Sequence, residues 1–213
     1  MENNKENIQN GYGTKTYSQH GIHTYYEGDL IDGLPHGKGK ETYSYNDSLY
    51  EGDFVNGKKH GKGTLTSPTC LNYEGDFVNG EFHGKGKYIS GDGNRYEGDF
   101  VNGKKHGKGT LTLSTGEKYV GSFKDGEYHG KGTLFIGKKG GRLTFSVART
   151  YEFETYEGDF VDGKSHGKGT LTSPDGAKYE GEFEGFKRFI YGEPVGKGIV
   201  TFPDGTKEEK DFG

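Results

Sequence analysis

Six of the eight histidines in this 213-residue chain recur in one setting, each opening a His-Gly-Lys-Gly segment: His36, His60, His83, His106, His129 and His166. Such a row invites a metal ladder. In the strand reading developed below, successive members fall two strands apart, about 10 Å. Zinc needs its ligands at about 2 Å, so the row cannot chelate within one array. The histidines are read as turn residues that pack or bond locally, with a pH-responsive row as the functional alternative. Glu51 with Asp53, and their equivalents, look like catalytic carboxylate pairs, but they recur in nearly every copy. A catalytic centre is one non-repeating constellation, so these are read as solvated face charges. The run Gly57 to Thr64, GKKHGKGT, has the flavour of a phosphate loop. It lacks the spacing: three residues rather than four precede Gly61-Lys62, Gly63 follows the lysine, and a strand rather than a helix comes next. Cys70 is the single cysteine, which excludes an intrachain disulfide and fits a reducing compartment. No Ser-His-Asp set and no cofactor fingerprint is present. The chemistry-bearing residues therefore point away from an enzyme, and no catalytic residue, cofactor or metal is expected.

What places these residues is a repeat. The text YEGDFVNGKKHGKGTLT stands at Tyr50 and again at Tyr96, and YEGDFVDGKSHGKGTLT stands at Tyr156. Full copies begin at Tyr26, Tyr50, Tyr73, Tyr96, Tyr119, Tyr156 and Tyr179, with a regular period of 23 residues. A fixed short period means an array of like supersecondary units. Each copy holds two strand-like runs, Tyr50 to Phe54 and Gly61 to Thr66, separated by a polar loop read as Asn56 to His60. Turns such as Pro174-Asp175-Gly176 join the copies. Asn-Gly and Asp-Gly are hairpin signals because they accept positive φ. Period-two alternation, with no 3.6-residue pattern, predicts an antiparallel meander. Tyr50, Gly52 and Phe54 share one face, as do Gly61, Gly63 and Leu65; the glycines let aromatic rings lie on bare backbone. Fourteen such strands would span roughly 65 Å if the sheet stays open.

The Tyr-x-Gly start, Asp53-Phe54, Gly57 and the His60-Gly61-Lys62-Gly63 segment resemble the MORN repeat family, in register over residues 26 to about 207. The resemblance implies an all-β, elongated, twisted single-layer antiparallel sheet, a meander of hairpins serving as an interaction or assembly surface. One departure is the absence of tryptophan: Phe54, Phe77, Phe100 and Phe160 stand where many members carry it, and should still fill the row. The organisation expected is a disordered segment 1–10, a half-repeat 11–25, an array of seven repeats over 26–207, and a tail 208–213.

A hydrophobic fraction of 28% is low for a two-layer globule of this length, but 30 Phe and Tyr residues supply a core. A net charge of −4 gives no basic field for nucleic acid. No secretory signal is visible and no apolar run approaches the length of a spanning helix. The location expected is cytoplasmic, peripheral at a membrane or cytoskeletal structure.

Two breaks interrupt the period. The copy at Tyr119 is too long near residues 137–155, where alternation suggests elongated strands or an extra hairpin; the copy at Tyr179 is too long at 186–191. Three of the four arginines, Arg142, Arg149 and Arg188, fall in these breaks beside aromatics, and those residue types dominate binding hot spots. The candidate partner site is accordingly Arg142, Arg149, Phe186, Lys187, Arg188, Phe189 and Tyr191. A competing role for the insertions is to brace or cover an edge. The expected function is a scaffold for protein–protein interaction or assembly. The alternative is recognition of an anionic membrane surface, which the resemblance links to phosphoinositides, with Lys58, Lys59, Lys104 and Lys105 facing lipid. The protein partner has no identity in the sequence. Charged residues at Glu208-Glu209-Lys210-Asp211 replace the tyrosine start and should discourage strand addition, leaving a monomer with weak self-association through the C-terminal repeats.

Overall fold

The computed structural model describes residues 9–19, 22–68, 71–136, 142–146, 149–152, 154–185 and 193–213. The chain forms two compact units, Met1–Lys104 and Lys105–Gly213. The first contains β1 (Gly11–Gln19), β2 (Ile22–Ile31), β3 (Leu34–Tyr43), β4 (Ser48–Val55), β5 (Lys58–Thr66), β6 (Leu71–Val78), β7 (Glu81–Ser90) and β8 (Arg95–Val101). The second contains β9 (Lys104–Thr112) from its second residue on, β10 (Lys118–Lys124), β11 (Glu127–Phe135), β12 (Arg142–Ser146), β13 (Arg149–Glu152), β14 (Thr155–Val161), β15 (Lys164–Thr172), β16 (Lys178–Glu184), β17 (Glu193–Thr201) and β18 (Lys207–Asp211). Among the described residues sixteen strands make an open antiparallel sheet in chain order, and β12 and β13 pair in a separate two-stranded sheet. No helix occurs among the described residues.

The core is a row of rings on one face. Tyr26, Tyr50, Tyr73, Tyr96, Tyr119, Tyr156 and Tyr179 are all at most 1% exposed, and Phe54, Phe77, Phe100 and Phe160 are buried between them. Glycine explains how a single sheet hides a tyrosine. Gly52 and Gly63 stand opposite each other, and the Tyr50 ring lies over the pair so closely that a Cβ on Gly63 would come 2.5 Å from it. The Tyr50 hydroxyl then donates to the Asp53 carbonyl at 2.9 Å, and Tyr73, Tyr96 and Tyr119 make the same bond three residues on. Each tyrosine also meets phenylalanine edge-on: Tyr50 lies 5.1 Å from Phe54 in its own hairpin and 4.9 Å from Phe77 in the next. Edge-to-face pairs at these distances add to the area buried.

The hairpin loops are shorter than the sequence suggests. Asn56 and Gly57 alone turn the chain, with φ of +50° and +78°, the two positive values of a type I′ turn. Lys58, Lys59 and His60, expected in the loop, belong to β5. The register then slips: Gly52 faces Gly63, but Asp53 faces His60. Gly61 and Lys62 form the surplus, and Gly61 takes φ +58°, a left-handed value that a side chain would oppose. A surplus of two residues leaves the period-two alternation of β5 in phase, and Lys59 comes to lie opposite Phe54 on the ring side.

The opposite face carries an ion-pair ladder seated on the same bulge. Asp76 receives the Lys85 backbone N–H at 3.1 Å and the Lys62 ammonium at 2.6 Å; Lys38–Asp53, Lys85–Asp99 and Lys131–Asp159 pair likewise at 2.5 to 2.7 Å. The hydrogen bond from Lys62 holds the Asp76 carboxyl below its ordinary range, against an opposing push from burial. At Asp53 burial is the largest single influence and raises the value, yet Lys38 and the Lys62 N–H together outweigh it. A carboxyl lowered in the folded state stabilises it above the unfolded value near 4 and loses that contribution as pH falls through the folded one. Stability measured by urea unfolding should thus decline as the solution is acidified below about pH 4, and Asp76→Asn should flatten that decline. An unchanged acid profile in the variant would remove the ladder from the account.

The first insertion resolves as the extra hairpin: Arg142 pairs with Glu152 and Leu143 with Tyr151. The second, residues 186–191, lies outside the described residues, as does Cys70. The stretch expected as a tail, 208–213, supplies most of β18 (Lys207–Asp211), and Phe212 packs 5.4 Å from Tyr179 in the ring row. At the other margin β1 pairs with β2 along its full length.

Candidate interaction surface

The position opposite the row phenylalanine is where the repeats differ. It is Pro35 opposite Leu30, Lys59 opposite Phe54, Phe82 opposite Phe77, Tyr128 opposite Phe123 and Ser165 opposite Phe160. The tyrosine beneath does not change, so the repeats offer one platform under covers that vary in chemistry among them. Phe82 stacks on Tyr73 at 3.8 Å with 11° between planes, and Tyr128 stacks on Tyr119 at 3.9 Å. Lys59 sets its ammonium 5.2 Å above the Tyr50 ring, within the reach of a cation–π interaction. Phe82, Lys59 and Tyr128 are part-exposed, whereas Ser165 is fully buried.

In the first unit this surface contains a polar cluster that sequence reasoning missed. Glu41 faces Tyr50 from β3, the place that Leu65 takes against Tyr73 and Leu111 against Tyr119. It is 8% exposed. Its carboxylate meets Lys59 Nζ at 2.8 Å, and the two side chains are 10% and 18% exposed. The Tyr43 hydroxyl donates to the same carboxylate and accepts from Lys59, and the Tyr17 hydroxyl donates to it at 3.4 Å. Burial first, and then the Glu41 charge, pushes both phenols far above their ordinary range, so they stay protonated donors. The signal was present in the sequence as a glutamate in a leucine slot.

The residues proposed from sequence are scattered. Lys58 and Lys104 begin β5 and β9 and are exposed. Lys59 is committed to Glu41 and the rings. Lys105 is part-buried, and burial pushes its ammonium pKa down. Arg142 and Arg149 sit on the two strands of the separate hairpin, opposite Glu152 and Ser146. Phe186, Lys187, Arg188, Phe189 and Tyr191 lie outside the described residues. Among the described residues no group of His, Cys, Asp and Glu is arranged to hold a metal ion.

A sheet of consecutive hairpins, locked by a tyrosine over paired glycines and displaying a changing row above it, is the architecture of a repeat-built scaffold. The family model described as MORN repeat matches at residues 5–22, 26–44, 50–69, 73–95, 96–118, 119–136, 156–178 and 188–207, and the chain belongs to the MORN repeat family. Among curated proteins none matches. A solved structure with similarity is the SAS-4 (dCPAP) TCP domain of Drosophila melanogaster in complex with a proline-rich motif of Ana2 (dSTIL), at 14% identity, 81% coverage of this chain, 83% of that chain and a TM-score of 0.44.

Proposed function

We propose that this chain is a non-enzymatic scaffold that binds a protein partner along its repeats. The observation that carries the reading is the changing residue over an unchanging tyrosine: Lys59, Phe82 and Tyr128 occupy one backbone position in different chemistry. Like platforms under covers of different chemistry supply, within each unit, a pattern of contacts that a partner reads by its own spacing. Membership of the MORN repeat family supports a binding role of this general kind.

Within this reading, partner contact centres on the second insertion, Phe186, Arg188, Phe189 and Tyr191, with Arg142 and Arg149 contributing from the first. Insertions in a regular array map to loops, and loops carry specificity. The test is affinity capture with the full chain, followed by the same capture with residues 186–191 deleted. That deletion restores the regular period. The expected result is an unchanged far-ultraviolet circular dichroism spectrum with the captured partner lost. A shortened protein that unfolds, or that captures as before, places the site elsewhere. Vesicles of phosphatidylcholine with and without phosphatidylinositol phosphates, sedimented across salt, address the membrane alternative. Salt-sensitive binding to the anionic vesicles alone would favour it, with Lys58 and Lys104 as the exposed cations.

A further inference from the structure

Among the described strands β1 and β18 stand at the two ends of the order, and each has the register of half a hairpin. β1 meets β2 as a second strand meets the following first strand: Gly13 faces Gly28 and Lys15 faces Tyr26, as Gly63 faces Gly75 and Leu65 faces Tyr73. The match continues into the turn. Gln9 accepts the Gly33 N–H on its carbonyl, as Lys59 accepts that of Gly80, and Gly11 keeps a positive φ of +104° at the bulge position of Gly61. β18 is a first strand: Glu208 faces Val200 and Lys210 faces Gly198, in the places of Tyr73 and Gly75. In register, then, β18 calls for a second strand on its outer side, and β1 of another copy has that form.

Two residues of β18 break the correspondence. Inside the sheet the first-strand glycine is forced by the strand that follows it. A Cβ on Gly28, Gly52, Gly75, Gly121 or Gly158 would come 2.5 to 2.8 Å from the Cα of the glycine facing it on that strand. Real Cβ atoms do not approach backbone so closely. Lys210 has such a Cβ. The tyrosine that normally covers the glycine pair is also gone, and the Glu208 carboxylate, 2.7 Å from Lys210 Nζ, occupies its position in the pattern.

We propose that Lys210, through its Cβ and with Glu208, closes the outer edge of β18 to the β1 strand of a second copy, and that the charge of Lys210 is secondary. The chain is thereby kept from head-to-tail growth, the open-ended mode that a heterologous edge contact would otherwise generate. This reading concerns the sheet margin and stands apart from the partner surface proposed above.

Sedimentation velocity across a concentration series tests it. The unaltered chain should sediment as one species of constant mass. Glu208→Tyr with Lys210→Gly restores the internal residue pair and should produce a ladder of oligomers that lengthens with concentration. Adding Gly13→Val to that double variant should return it to a single species, because the new ring would meet the valine. Lys210→Gly and Lys210→Ala, made singly, separate the two explanations without rebuilding the strand. The glycine variant should associate measurably, and the alanine variant, which keeps the Cβ, should not. Equal association of the two single variants would make charge the barrier and overturn the proposal. So would a folded double variant that stays a single species, or an oligomer ladder in the unaltered chain.

Discussion

Gly63→Val should destabilise the protein by about 3 kcal/mol or more, the upper range for overpacking a closed site. The new Cβ would lie 2.5 Å from Tyr50 Cε2 and Oη and 2.6 Å from Cζ, before the two methyls are added. The ring cannot slide aside without giving up its bond to the Asp53 carbonyl and its edges on Phe54 and Phe77. Gly86→Val should act alike, since its Cβ would meet Tyr73 at 2.5 Å. Lys58→Ala, five residues before Gly63 but exposed, should move stability by less than about 0.5 kcal/mol. Urea unfolding of the three variants distinguishes them. Similar midpoints for Gly63→Val and Lys58→Ala would mean that the ring does not depend on bare backbone.

The second large effect belongs to the Glu41 cluster. Glu41→Ala leaves the Lys59 ammonium, 18% exposed, without its carboxylate. Breaking a buried pair from one side costs about 3 kcal/mol or somewhat more, and the flexible lysine stem offsets part of that by reaching for water. A loss of about 2–3 kcal/mol is therefore expected in urea unfolding. The informative companion is the double change Glu41→Leu with Lys59→Phe, which imitates the leucine of β5 and the Phe82 of β7. Replacing both charges by apolar groups is often neutral or stabilising, so the double variant should return to within about 1 kcal/mol of the original chain, or exceed it. If it is less stable than Glu41→Ala, the cluster does more for the fold than an ion pair in an apolar slot can.

The ring row was legible because its logic is local. Tyr50, Gly52 and Phe54 alternate along one strand, and alternation is what a sequence displays directly. The face of Lys59 was hidden because the residues themselves do not show that the turn is complete at Gly57 and that β5 begins at Lys58. Counting back from Leu65 with period two puts Lys59 on the correct side, but reading Lys58 to His60 as loop removed them from the count. Glu41 was readable only by aligning copies column by column, where it displaces leucine; within its own strand it stands beside Lys40 and Thr42 as another polar residue. The hairpin of β12 and β13 showed in its alternation, yet nothing in its residues said whether the flanking strands would lengthen instead.

The register across that hairpin has a further consequence. β11 and β14 pair directly, with Gly132 facing Gly158 and Leu134 facing Tyr156, the same alignment that joins Gly63 to Gly75 and Leu65 to Tyr73 without any insertion. Register is thus rewritten by every glycine pair and its tyrosine, and is not inherited from the length of chain between them. Extra residues between two such units add only the entropy of closing a longer loop, which grows with the logarithm of its length. Phase errors do not accumulate. A gene built this way can gain a whole hairpin, or lodge a foreign segment between two, by one recombination event, and the neighbouring strands will still find their partners.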